Sequence, residues 1–278
     1  MCKSFTLIEI LVVIVVIGII SSFIVIGISS ISDKANISKG KIFIDSVENN
    51  LLLNRISYWK LDGNGNDSWG INNLTVNGVT EDGSCVSGSC YFFDGTTADY
   101  LIINPINNFP VDQFSISVWV NSSNASTEGS MVSYASTHSD NELLFYLYGS
   151  TISIYAVFQA TGFTVNDGKW HNIFFTWRNT DGSVRFYKDG GLLSSNTLSI
   201  GNTMINGGSL VFGQEQDNIG GGFSSTQAFL GKMDEIKIYN MFLSSSMVKE
   251  NYYSDLNKLY KNNSTVLEEF KRKVVELK

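Results

Sequence analysis

From Ile10 to Ile31 the chain carries 22 residues without a charge, and the apolar run that contains them begins at Phe5. As a helix, the uncharged run would be about 33 Å long at ~1.5 Å per residue. The hydrocarbon core of a bilayer is about 30 Å thick. Residues 5–31 are therefore predicted to form a membrane-spanning helix, and the rest of the chain is placed relative to that membrane. A cleaved secretory signal would show a shorter apolar core and a small-x-small end, which this stretch does not match. Glu9 is the odd residue. It sits inside the apolar stretch, where a carboxylate costs about 2.5 kcal/mol or more unless it is paired or near the interface.

The string Phe5-Thr-Leu-Ile-Glu-Ile-Leu-Val-Val-Ile14, preceded by Met1-Cys2-Lys3-Ser4, resembles the N-terminus of type IV pilins and pseudopilins. That resemblance implies a leader over 1–4, cut between Ser4 and Phe5 by a prepilin peptidase, and methylation of the new terminus. Glu9 is then the fifth mature residue, which in that family pairs with the freed amine of a neighbouring subunit. The implied partners are the membrane, the peptidase and a homo- or hetero-oligomeric filament. The family usually has Gly before the cut, and here the residue is Ser4. Residues 32–55 continue as an amphipathic helix, with Ile37, Ile42, Phe43, Ile44, Val47, Leu51 and Leu52 near helical spacing.

Beyond residue 55 the periodicity changes. Short apolar runs alternate with Gly/Asn/Asp/Ser clusters, the pattern of strands joined by turns. Strands are predicted over 58–61, 91–93, 101–103, 114–121, 131–134, 143–148, 152–158, 170–178, 183–188, 210–213 and 229–239. The run Ser115-Ile-Ser-Val-Trp-Val120 alternates with period two, which buries one face. A helix is expected over 243–253, capped by the serines at 244–246. Another is expected over 266–277, opened by the capping box Thr265-Val-Leu-Glu268. The fold class is thus an N-terminal apolar helix, an all-β sandwich over 56–255 and a short C-terminal helical segment over 256–278.

The net charge of −7 argues against a nucleic-acid partner, which needs a basic face. Of three cysteines, Cys2 falls in the leader. Cys85 and Cys90 remain as a pair in a Gly/Ser-rich loop, and in an exported domain they are expected to bridge. Two thiols without a nearby His or further Cys do not make a zinc site.

The segments Tyr58-Trp-Lys-Leu-Asp62, Phe92-Phe-Asp-Gly95, Phe114-Ser-Ile-Ser-Val-Trp119, Gly168-Lys-Trp-His171, Val184-Arg-Phe-Tyr-Lys-Asp-Gly190 and Phe229-Leu-Gly-Lys-Met-Asp-Glu-Ile-Lys-Ile-Tyr239 resemble laminin G-like, concanavalin A-type jelly rolls. Within that group, Phe212-Gly-Gln-Glu-Gln-Asp-Asn-Ile-Gly-Gly-Gly-Phe223 and Val132-Ser-Tyr-Ala-Ser136 with Asp140-Asn-Glu-Leu-Leu144 are similar to the ligand segments of pentraxins. The resemblance implies a calcium site. Asp140 and Asn141 would give side-chain oxygens, Glu215 and Asp217 carboxylates, Gln216 its backbone carbonyl and Gln227 its amide oxygen. Calcium takes six to eight such oxygens in irregular geometry. Pentraxins hold a second ion with a further Glu three residues before the Gln. Here that position is Ser224, so one good calcium site is expected and the second lacks a carboxylate. Tyr146 stands where the family has an aromatic against a carbohydrate or phosphocholine ligand. The cysteine of the family's W-H-x-x-C strand is replaced by Phe174.

No enzyme is expected. The glucanases of this fold use E-x-D-x-x-E, and the second Glu is absent after Asp217. His138 and His171 have no nucleophile pattern around them, and Gly220-Gly-Gly222 lacks the Lys-Ser/Thr of a phosphate loop. Trp170 and Trp177 read as core aromatics. The expectation is a membrane-anchored pilin-like protein on the cell surface or pilus. Its head, outside the cytoplasm, would bind a glycan or phosphocholine-like ligand through calcium, as an adhesin or minor pilin. The alternative is a structural pilin or type II secretion pseudopilin whose head binds calcium only for stability.

Overall fold

The computed structural model describes residues 7, 8, 11, 14–16 and 51–262, apart from 125–127, 148–150 and 163–164. The six residues near the N-terminus are helical and apolar, and their side chains are exposed. Among the described residues no helix is long and apolar enough to cross a membrane. The 5–31 segment lies largely outside them, as do the leader and the helix expected over 266–277. The chain divides into two units, Met1–Ser46 and Val47–Lys278, and the second carries the strands.

Two antiparallel sheets face each other. The first runs in the order β13 (Gly191–Thr197), β12 (Ser183–Lys188), β11 (Trp170–Arg178), β6 (Gln113–Asn121), β15 (Leu230–Tyr239), β4 (Cys90–Asp94) and β3 (Thr80–Asp82). Strand β1 (Arg55–Trp59) pairs with the far end of β15. The second sheet runs β10 (Val157–Ala160), β9 (Thr151–Ile154), β8 (Leu143–Tyr146), β7 (Ser130–Ala135), β14 (Ser209–Phe212), β5 (Tyr100–Ile103) and β2 (Thr75–Asn77). Between them lies one large apolar core, in which Ile116, Val118 and Val120 of β6 meet Phe145, Phe175, Phe186 and Phe212. Trp177 belongs to this core, whereas Trp170 is half-buried against a separate cluster of Val86, Trp119, Tyr252 and Leu256 and donates its indole N–H to Ser84 O.

The period-two pattern of β6 predicts one buried face, and the structure buries both. The outer face is covered by a helix, α1 (Ser245–Asn262). Ser244 caps it, its Oγ accepting from Met247 N and its carbonyl from Val248 N. Val248, Tyr252 and Leu256 lie four residues apart, one stripe of a helix, and are buried. The helix runs well past 253, the end predicted from sequence. At the other terminus of the head the helical residues stop at Leu52, and Arg55 already belongs to β1.

The Cys85–Cys90 disulfide is present, with Cα atoms 5.6 Å apart. Its loop is tied to the first sheet. Asp234 Oδ2 accepts from Val86 N and Ser87 N at 2.9 and 3.0 Å. Val86 then packs with Trp119 of β6 and with Tyr252 and Leu256 of α1. The small cross-linked loop thereby helps seat the helix.

Candidate metal centre

The candidate ligands sit on the outer face of the second sheet. Along β7, β8 and β14 alternate side chains enter the core: Val132 and Tyr134, Leu143 and Phe145, Leu210 and Phe212. Ser133, Leu144 and Val211 lie between them on the opposite face, are cross-strand neighbours, and are equally buried. The segment 213–229 that follows β14 doubles back over its own sheet and covers this face. Gln216 fastens it there. Its Nε2 donates to Ser133 O, Ser133 Oγ and Ser209 O at 3.1–3.2 Å, and its Oε1 accepts from Gly220 N at 2.8 Å. With the side chain used up in this way, only the main chain of Gln216 remains to meet a cation. Gln214 ties the same segment to Thr96 O and Asp99 O at 2.7 and 3.1 Å. The tip is a tight reversal at Asn218 and Gly221, bonded both ways at 3.0 and 3.3 Å. Gly222 beside it has φ +78°, and a Cβ there would stand 2.7 Å from Asp217 Cβ.

Glu215 lies between the two anchored glutamines. It is 2% exposed, and its Oε2 has no hydrogen-bond partner among the described residues. Burial pushes its carboxyl up to about 7, and the charges of Asp217, Asp140 and Glu128 add to the effect in that order. A buried carboxylate ordinarily collects donors; this one has acidic neighbours instead. Asp217 is exposed at the rim, and Asp140 and Asn141 are half-buried.

Asp140 and Asn141 belong to the segment between β7 and β8. Buried Glu142 anchors that segment, accepting from Ser136 Oγ, His138 Nδ1 and Ile205 N at 3.0, 2.8 and 2.8 Å. Asn141 donates its amide nitrogen to Asp140 Oδ1 at 2.9 Å, which turns its Oδ1 the other way. Gln227 does the same, donating Nε2 to the Tyr146 hydroxyl at 2.7 Å. Tyr146 is only 7% exposed. Its hydroxyl titrates far above its ordinary value because it is buried, beside the charges of Glu215 and Glu128.

The structure therefore gathers Asp140, Glu215 and Asp217 around one another electrostatically, and it places Gln227 at the hydroxyl of Tyr146. A fourth carboxylate, Glu128, is one that sequence reasoning missed. It lies just before β7, where Glu-Gly reads as an ordinary turn. Its position depends on a main-chain bond from Glu128 N to Thr226 O at 3.1 Å, across a separation that no local pattern reports. The donors are all oxygens, with an irregular layout that suits calcium rather than zinc. The cluster is open: no three acidic oxygens of this set lie within 4.8 Å of one another. Among the described residues only Asp82, Cys85 and Cys90 meet that distance. Two of these form the disulfide, and Asp82 is bonded to Lys232 at 2.9 Å. His171 is held between Asp189 at 2.7 Å and Asp167 at 3.1 Å, and His138 stacks on Tyr155.

Comparison with known proteins bears on both ends of the chain. Residues 90–268 match the model of the Pentaxin family, and residues 1–25 match the prokaryotic N-terminal methylation motif. A rat protein named "Sushi, von Willebrand factor type A, EGF and pentraxin domain-containing protein 1" is 38% identical over 135 residues, 47% of this chain and 4% of that protein. Human neuronal pentraxin-1 is 37% identical over 139 residues, 49% of this chain and 32% of the relative. The chain thus spans well under half the length of these curated relatives. The same fold appears in the binding domain of Paraclostridial Mosquitocidal Protein 1, with TM-score 0.58 and 16% identity over 74% of this chain and 53% of that one. It also appears in domain 4 of the arabinanase AbnA from Geobacillus stearothermophilus, with TM-score 0.53 and 18% identity over 71% of this chain and 97% of that one. Both matched families are binding or structural proteins and not enzymes. The chain belongs to the pentaxin family, a family of calcium-dependent ligand-binding heads, and carries a type IV pilin methylation motif at its N-terminus.

Proposed function

We propose that this protein is a pilin-like surface protein. Its N-terminal segment anchors it in the membrane and joins a filament, and its head binds a carbohydrate or phosphocholine-like ligand through calcium, as an adhesin or minor pilin. The observation that carries the reading is the buried Glu215 carboxylate, whose Oε2 finds no donor among the described residues and which feels the charges of Asp217, Asp140 and Glu128. Burial removes it from bulk solvent, and a cation would compensate the cost of holding a charge there. Asp140, Asn141, Glu215, Asp217 and Gln227 would hold the ion with side-chain oxygens, and Gln216 with its carbonyl. Exposed Asp217 and half-buried Asp140 form the rim, so the outward side of the ion would remain open to an oxygen of the ligand. The chemistry that bound calcium supplies is a positive centre for an anionic or hydroxyl-rich group.

One observation favours the alternative, in which calcium only stabilises the head of a structural pilin or pseudopilin. Tyr146, expected to contact the ligand, has its ring buried and its hydroxyl engaged by Gln227. A ligand would reach only its edge.

Retention of the full-length protein, in neutral detergent, on phosphocholine and glycan matrices decides between the two. Retention in calcium that is lost in chelator and in Asp217→Ala supports the adhesin reading. At calcium about 100 times the dissociation constant, a single site adds about 2.7 kcal/mol of stability. That stabilisation without retention on any matrix would leave the structural reading in place, and its absence at millimolar calcium would sink the calcium site altogether.

A further inference from the structure

The chain enters the head beside an apolar patch that the core does not absorb. Leu53 and Ile71 are each 86% exposed, more than any other large apolar side chain of the head among the described residues, and Trp69 is 46% exposed. Residues 69–71 run alongside the start of β1, just beyond Leu53. A Cβ on Gly70 would stand 2.3 Å from Ile56 O, and the Arg55 guanidinium lies over the Trp69 ring at 4.3 Å.

The loop that presents Trp69 and Ile71 is braced from within. Asp67 Oδ1 accepts from Tyr58 N, Trp69 N and Gly70 N at 2.9–3.0 Å, and its Oδ2 accepts from Asn72 N at 3.1 Å. Ser68 N donates to Tyr58 O at 2.8 Å. These amides would not be stranded if the loop entered a layer poor in water. Arg55 has its Nε buried without a hydrogen-bond partner, and among the described residues it forms no ion pair. Stacked on Trp69 and on Tyr58, its cation is left for an anion from outside. Indole rings settle at the level of lipid headgroups, and an arginine can bury its stem there while its charge meets a phosphate. A protein partner takes its anchors in well-packed pockets, whereas these side chains stand out from a loop. The uncharged run ends at Ile31, and Leu53 follows 22 residues later. That length of chain spans at most about 75 Å, so a bilayer that holds the run lies within reach of the patch.

We propose that Leu53, Arg55, Trp69 and Ile71 dock the head on a lipid surface, with Leu53 and Ile71 inserted below the headgroups, Trp69 at their level and Arg55 on a lipid phosphate. This rests on the membrane-anchored reading given above, and it orients the head of an anchored chain.

The five tryptophans stand at 59, 69, 119, 170 and 177, so none lies in the apolar run and tryptophan emission reports the head alone. The full-length protein is reconstituted into phosphatidylcholine vesicles, with and without bromine on the acyl chains. Chelator is present throughout, so that the calcium site adds nothing. Brominated lipid is expected to quench part of the emission, and that part is expected to be lost in Trp69→Phe. It should also be lost in Ile71→Asp, which keeps all five tryptophans and, being exposed, should unfold at the wild-type temperature. Flotation with the vesicles but no quenching, or quenching that survives either variant, overturns the docking while the anchor stands. Trp69 shielded from acrylamide without quenching by lipid also overturns it, and gives the patch to a second copy of the chain. A protein that does not float with the vesicles overturns both readings.

Discussion

Glu215 concentrates the chemistry of the head in one side chain. In the calcium-free fold its proton is held up to about pH 7, whereas the unfolded chain releases it near 4.5. The folded state therefore binds more protons in that window, and stability falls as pH rises through it. Thermal unfolding in chelator between pH 5 and 8 is expected to show a declining midpoint for wild type. Glu215→Gln should decline less steeply than wild type, because buried Asp234, pushed up to about 9, still titrates across the same range, and at pH 8 it should be more stable than wild type by about 2 kcal/mol. A wild-type slope no steeper than that of Glu215→Gln would mean that Glu215 finds a donor in solution. Calcium is expected to reverse the slope, because it needs the ionised carboxylate. At this scale the spacing Glu215-Gln-Asp217 with Asp140-Asn141 and Gln227 was legible in the chain. The burial of Tyr146 and the arrival of Glu128 were not, since both depend on neighbours far away in sequence.

Strands with an apolar face were legible; polar edges were not. Eleven strands are predicted, and fifteen are present among the described residues. The missing ones, β2, β3 and β13, are Thr-Val-Asn, Thr-Glu-Asp and Gly-Leu-Leu-Ser-Ser-Asn-Thr. They lie at sheet edges, where exposure removes the alternation that marks a strand. The predicted strand 152–158 is a hairpin, because Tyr155 and Ala156 both adopt positive φ, 55° and 58°. Non-glycine residues seldom do so, and no Gly or Asn signals the turn. The contact of α1 with the first sheet includes a buried charge pair. Lys237 donates to Asp255, with the residues 1% and 3% exposed, and Trp119 donates to the same carboxylate at 3.2 Å. Lys237→Met should cost about 3 kcal/mol by stranding Asp255, and Lys237→Met/Asp255→Leu should recover much of it. Urea unfolding followed by tryptophan fluorescence measures both. A single variant as stable as wild type would mean that the pair contributes nothing to docking the helix.

For the whole molecule, a prokaryotic N-terminal methylation motif at 1–25 and a pentaxin-family head at 90–268 stand in one chain, and the proposed filament role can be tested at the first of them. Co-expression with a prepilin peptidase is expected to shorten the chain by its first four residues, leaving Phe5 as the N-terminus. Ser4→Gly should raise the processed fraction, as read by intact mass. An uncut chain in both proteins would remove the filament role and leave an anchored head.

The sequence alone determined what short-range physics writes into it: the uncharged 22-residue run, the strand-and-turn rhythm after residue 55 and the acidic segments that resemble a calcium loop. Tertiary structure decided which groups share a site. The second sheet brings together segments from residues 128, 140, 215 and 227, and the loop after β14 folds over the sheet to shut water away from Glu215. Desolvation and like-charge repulsion arise only from that assembly, so the feature that most calls for a cation has no counterpart in the linear chain.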